Sequence, residues 1–339
     1  MINLRNDYNS VAHPAILEAL SAHQDKQFPG YGTDEKTEAA KEAVLQLFGD
    51  PAGSEVYFIP GGTLTNLIAI SSFLRPHEAV IAPRSSHIFM HETGAIEATG
   101  HKLLTVKTND GKLRPEVIRS IVDSHTSEHM VRPRLVYISQ TTELGTVYTC
   151  AELEALRSIC DELDLLLYID GARLAYAATA TCCDLDLPKI AELADAFYLG
   201  GTKAGLLFGE ALVIGNPSLQ MDFRHLIKQR GGLLAKGFLL GIQFIMLLDD
   251  GMFLRLAAQA NASAARLYEG LGLSGYTFAI ETESNQVFPI IEDAALAKLS
   301  EYIDFEVWEE LASDKTAIRF VTTWQTTEDE IQAVLKLMS

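Results

Sequence analysis

The sequence has few of the features that mark membrane, secreted or metal-binding proteins. No apolar run reaches the roughly 18 residues that cross a bilayer, and the first residues contain neither the basic nor the apolar region of a signal peptide. The four cysteines show no CxxC spacing, and the adjacent pair Cys182 and Cys183 suits neither a zinc site nor a disulfide framework. We therefore predict reduced thiols in a cytoplasmic protein without a metal site.

The chain also has little positive charge. It contains 27 Lys and Arg residues against 45 Asp and Glu residues, a formal net charge of −18. This excess argues against a nucleic acid or an anionic membrane as partner, although a few local donors can still bind a small anion. A GxGxxG segment and a Walker lysine are both missing, so neither dinucleotide nor triphosphate binding is favoured.

Alternation of strands and helices is the main pattern that is present. Short apolar strands separated by helical segments extend from about residue 56 to residue 214. Such alternation predicts an α/β fold with a mainly parallel sheet that is covered on both faces. We predict an N-terminal arm over 1–14, a large domain over 15–239, and a small α+β domain over 240–339 to which the arm belongs. The segment 87–98 is predicted to be one helix.

One lysine lies in an unusually apolar and glycine-rich stretch, Tyr198-Leu-Gly-Gly-Thr-Lys203-Ala-Gly-Leu-Leu-Phe-Gly. Burial lowers the pKa of a lysine and makes its amine nucleophilic, as a lysine that binds a carbonyl group requires. A surface lysine in a flexible loop is the alternative interpretation of this stretch taken alone.

Two further segments supply complementary chemistry. Gly61-Gly62-Thr63 lies between a predicted strand and a helix, where backbone N–H groups can bind a phosphate. Asp170 ends an apolar strand and is followed by Arg173, and Lys203 comes 33 residues after Asp170. Taken singly, these segments are also compatible with an ordinary turn and a local ion pair. Together they provide the anion site, carboxylate and amine that pyridoxal phosphate (PLP) enzymes require.

The chain resembles the low-specificity threonine aldolases, a group of fold type I PLP enzymes among the β-eliminating lyases. The resemblance extends from Leu4 to Arg319, and its clearest segments are Tyr31-Gly-Thr-Asp-Glu, Pro60-Gly-Gly-Thr-Leu-Thr-Asn66, His87-Ile-Phe-Met-His-Glu92, Ile169-Asp-Gly-Ala-Arg173 and Ile318-Arg319. It implies a large domain with a mainly parallel seven-stranded sheet and a small C-terminal domain. The implied activity is PLP-dependent cleavage of L-threonine, L-allo-threonine or a related β-hydroxy-α-amino acid to glycine and an aldehyde.

The resemblance also implies roles for individual residues. Lys203 would carry the cofactor, Asp170 would pair with the pyridine nitrogen, and Arg173 would bond the phenolate oxygen. His87 would stack on the ring, and Gly62 and Thr63 would bind the phosphate. Asn6 and Arg319 would bind the substrate carboxylate. Three residues would reach the site of a neighbouring subunit in a homodimer or homotetramer, namely Tyr31, Lys228 and Arg230.

One position departs from the family pattern. Many threonine aldolases have a histidine where this chain has Glu143, in the segment Gln140-Thr-Thr-Glu143. A glutamate there could accept the proton of the substrate β-hydroxyl if its pKa suits that task. The substitution leaves the substrate side chain open. The alternative functions are β-elimination or another amino-acid lyase or aminotransferase reaction, and a non-catalytic protein that has kept the fold.

Overall fold

The computed structural model describes residues 1–312 and 314–339. The strands are β1 Ile2–Asn3, β2 Glu55–Ile59, β3 Glu78–Pro83, β4 Lys102–Val106, β5 Arg132–Ser139, β6 Leu166–Asp170, β7 Ala196–Gly200, β8 Glu210–Ile214, β9 Thr277–Phe278, β10 Gln286–Val287, β11 Pro289–Glu292, β12 Ile303–Asp304, β13 Glu306–Leu311 and β14 Lys315–Val321. The α-helices are α1 Pro14–Ser21, α2 Glu35–Leu47, α3 Gly62–Phe73, α4 His87–Met90, α5 Pro115–Ser124, α6 Cys150–Glu162, α7 Leu174–Ala178, α8 Leu187–Leu193, α9 Phe223–Gln229, α10 Phe238–Leu248, α11 Met252–Leu273, α12 Asp293–Ser300 and α13 Glu328–Leu337.

A seven-stranded sheet with the order β2-β8-β7-β6-β5-β3-β4 forms the centre of the large domain. Its strands pair in parallel except β8, which runs antiparallel to both β2 and β7. Strands β3, β6, β7 and β8 are buried along their whole length, as expected for apolar strands covered on both faces. The predicted α/β fold with a mainly parallel seven-stranded sheet is confirmed.

The parallel strands bring the predicted site residues to one edge of this sheet. Gly62 follows β2, His87 follows β3, Glu143 follows β5, Asp170 ends β6, and Lys203 follows β7. Because β8 runs in the opposite direction, its first residue lies at the same edge. Ligands of open α/β sheets bind beyond the carboxyl ends of the strands, so this edge is the expected site.

A second, smaller sheet lies in the C-terminal part of the chain. It contains five strands. Strand β14 pairs with β10, β11 and β13, and β11 also pairs with β9. The arm joins this region, because β1 pairs in parallel with β12 and Leu4 belongs to its apolar core. Helix α11 links the two cores, since Ala260 packs in the large-domain core and Ala264 in the small-domain core. The domain boundary at 239/240 stays a prediction.

The predicted continuous helix over 87–98 is wrong. Helix α4 ends at Met90, and a short 3₁₀ turn follows at Glu97–Thr99. Thr93 and Gly94 have φ angles of 53° and 71°, which a right-handed helix cannot contain. Among the described residues, no helix combines the length and the apolar character that a membrane crossing needs.

Candidate active site

A cavity of about 330 Å³ opens at the carboxyl edge of the large sheet. It brings together six of the predicted site residues, Gly62, Thr63, His87, Glu143, Asp170 and Lys203, and its wall also contains Tyr8, His91, Ala172, Tyr198, Thr202, Phe208 and Glu210. These residues come from six segments that are far apart in the sequence. The sheet topology is therefore what assembles the site.

Asp170 is a buried carboxylate held by four hydrogen-bond donors. Its Oδ2 accepts from the hydroxyl of Tyr137 at 2.6 Å and from Asn66 Nδ2 at 3.0 Å. Its Oδ1 accepts from the hydroxyl of Tyr198 and from the backbone N–H of Ala172 at 3.0 Å. Burial alone would raise the pKa of Asp170, but His87 and the side-chain donors outweigh burial and lower it. A carboxylate that is ionised at neutral pH therefore lies on the cavity wall.

The glycine after Asp170 is required by a close approach of two chain segments. A Cβ atom on Gly171 would lie 1.8 Å from the carbonyl oxygen of Tyr198 on the neighbouring strand. The Gly171 carbonyl also accepts a hydrogen bond from the Gly200 N–H at 3.0 Å. Any larger residue at this position would push β7 and the lysine turn away from Asp170.

Lys203 lies in a tight turn directly after β7. Gly205 ends this turn with a φ angle of 107°, a conformation that favours glycine, and the hydroxyl of Tyr176 donates to the Lys203 carbonyl at 2.7 Å. Burial and the charge of Arg173 lower the pKa of Lys203, more than Asp7, Glu143 and Asp170 raise it. Nucleophilic attack on a carbonyl requires a neutral amine, which this environment favours.

The first turn of α3 provides an anion site at the other end of the cavity. Helix α3 begins after Gly61, which as a glycine has no side chain to cap the free N–H groups of the first turn. A helix N-terminus with free N–H groups attracts anions. Gly62 and Thr63 both line the cavity here, as the phosphate prediction requires.

His87 is fixed from behind by a polar network. Its Nδ1 bonds Glu92 Oε1 at 2.8 Å, and Asn66 Nδ2 donates to the same oxygen at 2.9 Å. Asn66 also donates to Asp170, so the network joins His87 to the floor of the cavity. Burial lowers the pKa of His87, but the bond to Glu92 and the charge of Glu143 outweigh it, and the net shift is upward.

Arg173 makes a buried, bidentate ion pair that the sequence did not indicate. Its Nε and one terminal nitrogen donate to the two oxygens of Asp7 at 2.7 and 3.1 Å. Asn285 Nδ2 also donates to Asp7 at 3.1 Å. Despite burial, Arg173 and Lys203 hold the pKa of Asp7 well below its usual value. Asp7 therefore joins the arm, the large domain and the small domain beside the site.

Glu143 lies on the cavity wall with most of its surface buried. Its nearest cation is the other terminal nitrogen of Arg173, at 3.8 Å, which is beyond hydrogen-bond distance. No hydrogen bond to this carboxylate is formed within residues 1–312 and 314–339. Its oxygens are therefore available to a ligand.

Arg319 approaches the site from β14 of the small domain. One terminal nitrogen donates to Gln286 Oε1 at 3.1 Å, and the other donates to Glu306 on the neighbouring edge strand β13. The guanidinium also lies 5.0 Å from the centre of the Trp308 ring. Its Nε is buried without a partner among the described residues.

Six predicted residues do not line this cavity. Two of them are Arg173 and Arg319, described above, and the other four are Asn6, Tyr31, Lys228 and Arg230. The Asn6 side chain accepts a hydrogen bond from the Tyr8 backbone at 3.0 Å, and Tyr8 lines the cavity in its place. Tyr31 is exposed, and Lys228 Nζ lies 4.3 Å from the centre of its ring. Arg230 is also exposed at the end of α9. The roles of these residues stay predictions.

The cavity fits a planar phosphorylated cofactor such as PLP. A phosphate matches the free N–H groups of α3, and an aldehyde matches the lysine amine. A protonated ring nitrogen matches the ionised Asp170, whose other contacts are donors. The donor set of the cavity and the chemistry of this group therefore agree.

Comparisons with known proteins agree with this geometry. The family described as Beta-eliminating lyase matches residues 3–294. The chain belongs to the β-eliminating lyase family. It is 35% identical over 331 residues to a low specificity L-threonine aldolase of Pseudomonas sp. (strain NCIMB 10558), which covers 96% of this chain and 94% of that protein.

Solved structures extend the comparison. A threonine aldolase of Leishmania major matches with a TM-score of 0.98 and 47% identity over 100% of this chain and 98% of that one. A structure of SPT with PLP matches with a TM-score of 0.72 and 16% identity, over 99% of this chain and 86% of that one, and so shows the shared fold. The chain thus has the fold type I architecture of the β-eliminating lyases and their low-specificity threonine aldolases.

Several residues of the site were missed by sequence reasoning. They are Asp7, Asn66, Glu92, Tyr137, Tyr198 and Glu210. A signal for Tyr137 did exist, because it lies two residues before Ser139, the register partner of Asp170, and therefore on the same face of the sheet. Finding it required the strand register, which the sequence alone does not define.

Proposed function

We propose that this protein is a PLP-dependent lyase that cleaves L-threonine, L-allo-threonine or a related L-β-hydroxy-α-amino acid to glycine and an aldehyde. The observation that carries the proposal is the set of groups around one cavity, namely an ionised Asp170, the Lys203 amine and the anion site of α3. Near-complete coverage by threonine aldolase relatives supports the same function.

The large domain holds the cofactor. Asp170 would accept a hydrogen bond from the protonated ring nitrogen, Lys203 would bind the aldehyde, and the N–H groups of Gly62 and Thr63 would bind the phosphate. His87 would lie against the ring, and Arg173 would bond the phenolate oxygen. When bound, PLP supplies an electron sink for the electrons released by cleavage of the Cα–Cβ bond.

The small domain and Glu143 act on the substrate. Arg319 binds the α-carboxylate through the planar guanidinium geometry that suits carboxylates, and Asn6 contacts the same carboxylate. Glu143 accepts the proton of the β-hydroxyl, directly or through a water molecule. Its position on the cavity wall, without a hydrogen bond to another described residue, supports this role.

A homodimer or homotetramer completes each site. Tyr31, Lys228 and Arg230 are exposed and lie outside the cavity of their own chain, although the family resemblance assigns them to the cofactor site. Such residues serve the cofactor if they reach the cavity of a partner subunit. Sedimentation analysis of the purified protein tests this arrangement, and a monomer with full activity would contradict it.

The decisive experiment is a product assay with purified protein. L-threonine and L-allo-threonine are added separately, and acetaldehyde and glycine are measured with and without added PLP. With either substrate, we expect acetaldehyde and glycine to form in equal amounts. 2-Oxobutanoate with free ammonia would instead indicate β-elimination, and 3-hydroxy-2-oxobutanoate without free ammonia would indicate transamination. A protein that binds no PLP would contradict the proposal.

The role of Glu143 has its own test. Glu143→Gln keeps the size of the side chain but removes its ability to take a proton. We expect kcat to fall by about 10²-fold or more, as for the loss of a general base, with the absorbance of bound cofactor unchanged. Unchanged cleavage rates in Glu143→Gln would exclude Glu143 as the base.

A further inference from the structure

Another buried carboxyl group lines the same cavity as Lys203 and has no part in the function described above. Glu210 is the first residue of β8, is 4% exposed and lines the same cavity as Lys203 and Asp170. It lies opposite Gly200, the last residue of the strand that leads into the lysine turn. Charged residues are rarely buried without a specific partner.

The Glu210 carboxyl group contacts the lysine turn directly. One oxygen accepts from the Gly201 N–H at 2.9 Å and the other from the Thr202 hydroxyl at 2.7 Å. Thr202 is in turn the acceptor for the Gly209 N–H at 3.0 Å. Glu210 therefore holds the two residues that precede Lys203. A change in the charge of Glu210 would alter the hydrogen bonds that fix the backbone next to the lysine.

Two donors do not compensate for the burial of a full charge. Burial raises the pKa of Glu210 to about 7, because the opposing effects of Thr202, Gly201 and Lys203 are smaller and Asp170 adds repulsion. The other titratable groups that interact with it are the hydroxyls of Tyr168 and Tyr198, whose own pKa values lie far above neutrality. Lys203 is the cation that lowers the pKa of Glu210, and the two side chains line the same cavity. The groups that act most on Lys203 itself are Arg173, Asp7, Glu143 and Asp170.

We propose that Glu210 is a positioning residue for Lys203 and the group with which the lysine amine exchanges a proton. The exchange is balanced: a Glu210 carboxylate and a Lys203 ammonium give a carboxylic acid and a neutral amine. A neutral Lys203 amine is the form that would bind the aldehyde of a cofactor, and Glu210 would return the proton to a Lys203 amine that is released again. The inference rests on the proposed role of Lys203.

The test compares two variants with wild-type holoenzyme. Glu210→Gln keeps an oxygen that can accept from Gly201 but cannot titrate. Thr202→Val is the matched control, because it removes a hydrogen bond from the same cluster and leaves Glu210 able to titrate. For each protein, the visible absorbance of the bound cofactor and the infrared band of a buried protonated carboxyl group are followed against pH.

In wild type, we expect the carboxyl band to disappear with a midpoint at about pH 7. The band should be missing in Glu210→Gln and should persist to higher pH in Thr202→Val, which lacks one donor to the carboxylate. The midpoint of the cofactor absorbance should fall by about one pH unit in Glu210→Gln, since a negative charge near the lysine nitrogen is lost.

Two results would overturn the proposal. One is a wild-type protein whose infrared spectrum shows no carboxyl group titrating near neutrality. The other is a Glu210→Gln variant with the wild-type absorbance midpoint and a loss of activity equal to that of Thr202→Val, as a purely structural clamp would give. The infrared measurement on wild type needs neither turnover nor a folded variant, so it separates failure of this inference from failure of the aldolase assignment.

Discussion

The two sides of the cavity differ in how completely their polar groups are satisfied. On the cofactor side, Asp170 has four donors and His87 is fixed through Glu92 and Asn66. In this network Glu92 Oε2 is buried without a partner among the described residues. On the substrate side, three buried polar atoms have no partner among the described residues, namely Arg319 Nε, Gln286 Nε2 and Asn285 Oδ1. The large domain therefore provides a preorganised cofactor site, whereas the small domain has buried donors and acceptors to which a substrate can still bind.

This difference is physically meaningful because an unsatisfied buried polar group costs about 1–3 kcal/mol. A substrate carboxylate would give Arg319 Nε its missing acceptor, so part of the binding free energy comes from removing that cost. Changes on the cofactor side should therefore affect cofactor retention and kcat, and changes on the substrate side should mainly affect KM. The following substitutions test that separation, from the largest expected effect to the smallest.

Lys203→Ala should have the largest effect. It removes the amine that carries the cofactor, so we expect turnover to fall by about 10⁴-fold or more and the visible absorbance of bound cofactor to be lost. Lys26→Ala, at an exposed lysine of the same domain, is the control and should retain both. Retention of the absorbance band in Lys203→Ala would show that another residue carries the cofactor.

Asp170→Asn should lower kcat by about 10²- to 10³-fold, the range seen when one preorganised electrostatic contact is lost. The amide keeps the size of the side chain but cannot balance a protonated ring nitrogen. Rates measured at saturating substrate, with cofactor content from absorbance, provide the readout. Asp161→Asn on the surface is the control. If Asp170→Asn changed KM alone, Asp170 would act on substrate binding and not on the cofactor.

Arg319→Lys should raise KM by about 10- to 100-fold with a smaller change in kcat. A lysine cannot make the bidentate contact, and a hydrogen bond to a charged group contributes about 1.5–3 kcal/mol. Steady-state kinetics with L-threonine measure the effect, and Arg266→Lys, at a more exposed arginine, should be neutral. Loss of bound cofactor instead would place Arg319 on the cofactor side.

Glu306→Gln should have the smallest effect, and it should lower KM, whereas Arg319→Lys raises it. Glu306 is a carboxylate of the protein that already occupies one terminal nitrogen of Arg319, and it is partly exposed. Removing its charge should favour the substrate carboxylate and lower KM by about two- to fivefold, the range expected for a partly exposed ion pair. Glu309→Gln, further along β13, is the matched control, and a higher KM in Glu306→Gln would show cooperation rather than competition.

The sequence was sufficient to predict the cofactor side in outline. Apolar strands of a covered sheet have ends that are easily located. Asp170 is the last residue of such a strand, and Gly62, His87, Glu143 and Lys203 each follow the end of a strand. Parallel topology then brings these residues together. The position of each backbone segment follows from local pattern and general rules of chain topology.

What the sequence did not reveal depends on register or on long-range pairing. Glu210 and Tyr198 reach the site through the alignment of β7 and β8, and Asp7 reaches it through a contact with Arg173. The break in the predicted helix over 87–98 occurs at Thr93, a residue type that rarely adopts positive φ. None of these features has a periodic signal.

The Asp7 contacts also constrain the order in which the chain can complete its fold. Asp7 is separated from Arg173 by 166 residues and from Asn285 by 278. During synthesis the arm emerges first, Arg173 follows about halfway along the chain, and Asn285 comes only near its end. Closing such long loops is entropically costly and slows folding. A nascent large domain therefore already contains both Asp7 and Arg173, but it still lacks Asn285, which holds the same carboxylate from the small domain.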